Sequence, residues 1–81
     1  IYPNPSQTDL NIPFVLNADQ QVQFDLVDLM GKTVSKLTEK RNYFQGQHSL
    51  KIKTPQVGNG VYFVLLRTSS GTLSQKLVIQ R

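Results

Sequence analysis

Cysteine and tryptophan are absent from this chain of 81 residues, and histidine occurs once. Without cysteine there is no disulfide to staple a small core and no thiolate metal site, and cysteine pairing says nothing of the redox compartment. No apolar run approaches the roughly 20 residues that cross a bilayer as a helix, and no signal peptide opens the chain. The first residue is Ile1 rather than methionine, so the expectation is a piece of a longer protein. No stretch sustains a 3.6-residue apolar period, which argues against a helical bundle, and there is no internal repeat or low-complexity tract. Acid is scarce after the first third. Residues 1–31 carry Asp9, Asp19, Asp25 and Asp28 and no Lys or Arg, whereas all nine basic residues lie from Lys32 onward with Glu39 as their only acid. The net charge is +4. Two readings follow: solvated strand edges guarded by lysine, which is favoured because strands from the two halves interleave, or a basic face that meets an anionic partner.

What is present is alternation. Leu10, Ile12 and Phe14 alternate with Asp9, Asn11 and Pro13, a half-buried first strand that Pro13 restricts to an edge or a strand end. Val22, Phe24 and Leu26 form the inward face of a second strand. Asp28-Leu29-Met30-Gly31-Lys32 has the chemistry of a three-residue hairpin loop, a type I turn closed by a glycine bulge. Val34 and Leu37 start a third strand that runs into the polar patch Glu39-Lys40-Arg41-Asn42. His48, Leu50 and Ile52 share one face of a fourth, and the loop Thr54 to Gly60 carries a small apolar plug at Val57.

Val61 to Thr68 is the most apolar run, with apolar residues at odd and even positions alike. That composition predicts a central strand buried on both faces. Ser70-Gly71 permits a tight turn, and Leu73 to Gln80 returns as the second arm of a hairpin. Turn signals recur about every ten residues, the pattern of an all-β fold: an antiparallel β-sandwich of six to seven short strands in a single domain, residues 1–81. A chain this short buries only about 60% of its unfolded surface, so its stability margin is narrow.

Little here points to catalysis. His48 sits in an alternating strand without a partner nucleophile, and is read as packing. Ser69, Ser70 and Ser74 lie in or beside a hairpin turn, not on a nucleophile elbow. Asp25 and Asp28, three residues apart on an extended chain, point to opposite faces, and Asp28 is better used as the turn-former. Asp9, Asn17, Asp19 and Asn59 lack the spacing of a calcium loop, and Gly58-Asn59-Gly60 is too short for a phosphate cradle. Tyr2, Tyr43, Phe44 and Tyr62 would make a stacking platform only if they were not core, and no nucleic-acid motif accompanies them.

Five short motifs, in order, carry a resemblance. They are Tyr2-Pro3-Asn4-Pro5 with Leu10-x-Ile12, then Asp28-x-x-Gly31-Lys32-x-Val34, Leu50-x-Ile52, Gly60-Val61-Tyr62-Phe63-Val64, and the ending Lys76 to Arg81. Together they resemble the C-terminal sorting domains of the type IX secretion system over essentially the whole chain. Lys53 and Thr54 stand where that family often has an acidic or small polar residue, and Val57 where leucine is more usual. The resemblance implies an immunoglobulin-like fold and a non-catalytic address label on exported Bacteroidetes proteins, without cofactor. The implied partners are an N-terminal cargo domain in the same parent chain, the outer-membrane translocon, and a sortase-like cysteine peptidase. The implied route runs through the periplasm to the cell surface or medium.

The surface expected to carry recognition is the last strand, Ser74 to Arg81, placed at a sheet edge, with Lys76, Leu77, Val78, Ile79 and Arg81 as docking residues. Tyr2, Pro3, Asn4, Pro5, Asp28, Gly31, Lys32, Gly60 and Tyr62 are expected to keep the fold. The rival expectation is an immunoglobulin-like accessory module that holds a polysaccharide or adhesin partner through exposed aromatics. A plain spacer, tolerant of changes at Lys76 and Arg81, is the third.

Overall fold

The structure is a computed structural model that describes residues 9–80. Those residues form seven strands and no helix: β1 (Asp9–Leu16), β2 (Gln20–Val27), β3 (Thr33–Lys36), β4 (Arg41–Tyr43), β5 (Gly46–Lys53), β6 (Gly60–Thr68) and β7 (Gly71–Ile79). They make two antiparallel sheets, one of β1 and β5 alone and one of five strands, in which β3-β2-β6-β7 run in order and β4 also pairs with β2.

The expected alternation places the core. Leu10, Ile12, Phe14 and Leu16 of β1 and Leu50 of β5 face Val22, Phe24 and Leu26 of β2, Val64 and Leu66 of β6, and Leu77 and Ile79 of β7. All are buried, and they fill one apolar layer between the sheets, which is the two-layer sandwich the sequence predicts. Pro13 lies on an edge strand as expected. Its carbonyl accepts a hydrogen bond from Gln75 Nε2 at 2.9 Å, a side-chain tie from β7 to the smaller sheet.

The β2–β3 turn forms as the sequence predicts. Gly31 N–H donates to the Asp28 carbonyl at 3.0 Å, and Asp28 N–H donates to the Lys32 carbonyl at 3.0 Å, closing a three-residue loop. Asp28 Oδ1 accepts from the amides of Met30 (2.9 Å) and Lys32 (3.0 Å), and Gly31 takes a φ of 82°. The second hairpin differs by one position. Thr68 pairs with Gly71, so the loop is Ser69-Ser70, and Thr68 Oγ1 both accepts from Ser70 N–H and donates to the Gly71 carbonyl.

Two expectations need correction. The third strand is not continuous: β3 and β4 pair with opposite ends of the same edge of β2, separated by residues 37–40. At that break the amides of Leu37 and Thr38 both donate to the Phe24 carbonyl, at 2.9 and 3.1 Å. Thr38 Oγ1 then accepts from Phe24 N–H at 3.3 Å, so a side chain replaces the missing strand partner. The second correction concerns β6. Tyr62, Val64 and Leu66 point into the core layer, but Phe63 and Leu65 face outward and are only half-buried. One face of the central strand is covered and the other is not.

The turn geometry sets two expected outcomes. Gly31→Ala meets no neighbouring atom but forces a side chain into the left-handed region, costing about 1 kcal/mol. Asp28→Ala removes the acceptor for two amides and costs about 1–2 kcal/mol. Urea unfolding of each variant measures both, and an Asp28→Ala cost indistinguishable from zero would show that the carboxylate does not hold the turn.

Candidate docking surface

β7 stands last in its sheet, next to β6, and no described strand lies beyond it. The residues expected to make a docking surface there divide by the two-residue period of the strand. Lys76, opposite Phe63, is exposed on the outer face; Val78, opposite Val61, is half-buried on that same face. Leu77 and Ile79 are buried in the core layer at 0% and 1% exposure, so their side chains hold the strand down rather than meet a partner. Arg81 falls outside the described residues, as do Tyr2, Pro3, Asn4 and Pro5. Of the other motif residues, Asp28, Gly31 and Lys32 build the turn described above. Gly60 opens β6 at a φ of 156°, and Tyr62 packs on the core while its hydroxyl donates to the Gly58 carbonyl at 2.8 Å.

The outer face of the five-stranded sheet carries a feature that sequence reasoning missed. Asp25, Leu65 and Ser74 lie in one row across β2, β6 and β7, and Gln23, Arg67 and Thr72 in the next. Arg67 Nε donates to Asp25 Oδ2 at 2.7 Å, and Gln23 Nε2 lies 3.2 Å from both carboxylate oxygens. The Asp25 side chain is 6% exposed and that of Arg67 45%. An outward-facing carboxylate is thus roofed by its own neighbours, and the guanidinium lies pinned to the sheet. Asp25 and Arg67 are 42 residues apart, and only the β2–β6 register brings them together. No local signal in the sequence announces the pair.

The aromatics do not form a platform. Phe14, Phe24, Tyr43 and His48 cluster at the end of the core layer, with Phe14 edge-on to Phe24 and Tyr43 and stacked on His48 at 5.3 Å. His48 Nε2 lies 2.6 Å from the Phe44 carbonyl, and the ring is half-buried, which is the packing role read from its strand position. Tyr43 and Tyr62 also pack on the core, but Phe44 does not, being 79% exposed at the β4–β5 turn. Among the described residues Phe44 is the one exposed aromatic ring, while Phe63 is half-buried on the outer sheet face. A cleft of about 430 Å³ beside the β6–β7 turn is lined by residues such as Val15, Leu16, Gln20, Thr68 and Leu73, with no titratable side chain in its wall to move a proton.

Removing the Arg67 guanidinium leaves the Asp25 carboxylate covered but unpaired. Arg67→Ala is expected to destabilise the fold by about 2 kcal/mol, and adding Asp25→Asn to restore most of it. Thermal unfolding of the single and double variants tests this. Additive losses would show that the two residues do not act as a pair.

Among the described residues no helix is long and apolar enough to cross a membrane. No curated protein sequence and no solved structure matches the chain. One family model does, that of the secretion system C-terminal sorting domain, and it covers residues 1–80. With its turn, its central strand and its last strand all within that match, the chain belongs to the type IX secretion C-terminal sorting domain family.

Proposed function

We propose that this domain acts as a non-catalytic label, read by the type IX outer-membrane translocon in the folded state, with Lys76, Arg81 and the edge of the last strand as the docking surface. The observation that supports it is the division of labour along β7: Leu77 and Ile79 belong to the core while Lys76, next to Leu77 on the same strand, is exposed. A strand that is at once core and terminal can be displayed only by a folded domain, and a terminal strand is open to extension by a partner strand. An unfolded label would present neither feature. The cargo precedes the label in the parent chain, passes through the periplasm, and is released from the label by a sortase-like cysteine peptidase on reaching the surface.

The test is export of a reporter with a signal peptide in front and this domain behind, in cells with and without a working type IX translocon. Translocon-dependent appearance outside the cell, without the label attached, is the expected result. Retention in the periplasm of both strains would overturn the reading. Truncation at Leu77 is a poor probe of docking, because it removes two core side chains as well as the edge. Leu77→Ala alone is expected to cost about 2–4 kcal/mol, a large share of the total for a domain of this size. Lys76→Glu with Arg81→Glu leaves that core whole and is expected to lower export severalfold with the melting temperature held. Export at the original level would remove these two residues from the docking surface.

A further inference from the structure

The outer face of the five-stranded sheet holds two clefts on the same strand pair. One, of about 290 Å³, is lined by Val27, Leu29, Phe63 and Leu65 with Asp28 and Ser74 at its margin. The other, of about 310 Å³, is lined by Gln21, Gln23, Lys40 and Arg67 with Thr68 and Ser69. Phe63 and Arg67 are four residues apart on β6 and point the same way, so the clefts lie about 13 Å apart along the strand. The face therefore grades from apolar at one end to basic and amide-rich at the other.

Three observations indicate that something covers it. β6 has the composition of a strand buried on both sides, and yet Phe63 and Leu65 are only half-covered, while Leu29 (69%) and Met30 (91%) stand exposed at the adjoining turn. Positive charge outnumbers negative on this face. Lys32, Lys36, Lys40, Arg67 and Lys76 lie on or around it against three acids, all of them engaged: Asp25 with Arg67, Glu39 with Lys36 at 3.5 Å, and Asp28 with the amides of Met30 and Lys32 in its own turn. Finally, Arg67 spends its Nε on Asp25, which fixes the guanidinium in place and leaves its terminal nitrogens without a further partner among the described residues. A pinned guanidinium beside a lysine and two amides suits a carboxylate.

We infer that this face docks a segment of a partner protein that presents a carboxylate and an apolar side chain on one side of an extended chain, about 13 Å apart. The apolar side chain seats between Val27, Leu29, Phe63 and Leu65, and the carboxylate meets Arg67 and Lys40. A glycan is disfavoured because the basic cleft holds no aromatic ring and the single ring of the apolar cleft, Phe63, is half-buried. A second copy of this chain is disfavoured because two such faces repel. This surface is distinct from the edge of β7, although Ser74 and Lys76 connect the two.

The probe is the synthetic peptide Ser-Glu-Thr-Val-Thr-Leu-Ser, whose acidic and apolar side chains alternate onto one side, titrated into the 81-residue chain and followed by amide chemical shifts. A second peptide carries lysine in place of glutamate. Shifts confined to Gln23, Phe63, Leu65 and Arg67, with the acidic peptide binding about fivefold tighter, are expected. Lys40→Gln, at an exposed position without a hydrogen-bond or ion-pair partner among the described residues, should shrink that preference. The combined Asp25→Asn/Arg67→Gln exchange, which keeps a neutral hydrogen-bonding pair, should remove most of the rest. No shift at millimolar peptide, equal binding of both peptides, or shifts confined to β7 or to the β1–β5 sheet would overturn the inference. Concentration-dependent shifts of the same face without peptide would overturn it in favour of a second copy. No secretion machinery enters this titration, so its failure leaves the sorting reading standing, and failed export leaves the docking face standing.

Discussion

The five-stranded sheet needs an apolar layer on its inner face, and among the described residues only β1 and β5 are available to roof it. Leu10, Ile12, Phe14 and Leu16 do most of that work from a single strand, and each is buried. Because the roof is so narrow, every inward position beneath it counts: Val22, Phe24, Leu26, Val64, Leu66, Leu77 and Ile79 have no second layer in reserve. With no disulfide in a chain of this length, the layer and the ladders around it hold the fold. The hairpins follow from that demand. A turn that slipped by one residue would rotate an entire strand and send its apolar face to water, so the Asp28 carboxylate and the left-handed Gly31 fix the register of the layer as well as the shape of a loop.

The same shortage of strands explains the outer face. Two strands can cover one side of a five-stranded sheet, and nothing in the described chain remains to cover the other. On that side the domain compromises. Asp25 and Arg67 neutralise each other at the centre of the sheet, Lys36 stands next to them, and Phe63 and Leu65 are left half-wetted. Surface lysines around the margin keep such a face soluble and at the same time give it a sign.

How far the residues announce this arrangement depends on the range of the force involved. Period-two alternation is local, so β1, β2 and β5 and their inward residues are legible, as are the Asp28 turn and the edge position of Pro13. The break between β3 and β4 is not, because it depends on Thr38 reaching the Phe24 amide across 14 residues, and a threonine in a polar stretch gives no hint of that use. The ion pair between Asp25 and Arg67 is hidden for the same reason. Two-sided burial of β6 was a sound inference from composition, and it fails because burial is set by how many strands exist to supply a cover, which composition does not count. The docking residues split by that same alternation: Lys76 is exposed on the outer face, whereas Leu77 and Ile79 face the core and take the opposite role.

If the label is read in the folded state, as proposed, it cannot be a linear motif alone, since an unfolded chain would display a linear motif equally well. On that reading, alternating core and exposed residues along one edge strand meets the need with no extra machinery. The side chains at Leu77 and Ile79 are satisfied only when β1 and β2 are in place, and it is their burial that fixes the direction in which Lys76 points. On the proposed reading, the inner face of the strand tests the fold and the outer face reports it. An outer sheet face that is apolar at one end and cationic at the other extends the same logic, because Leu29 and Phe63 adjoin one another only when the β2–β3 turn and the β2–β6 ladder have both formed. The surface proposed for a partner is assembled from residues distant in sequence, and such a surface exists only once the single apolar layer beneath it has closed.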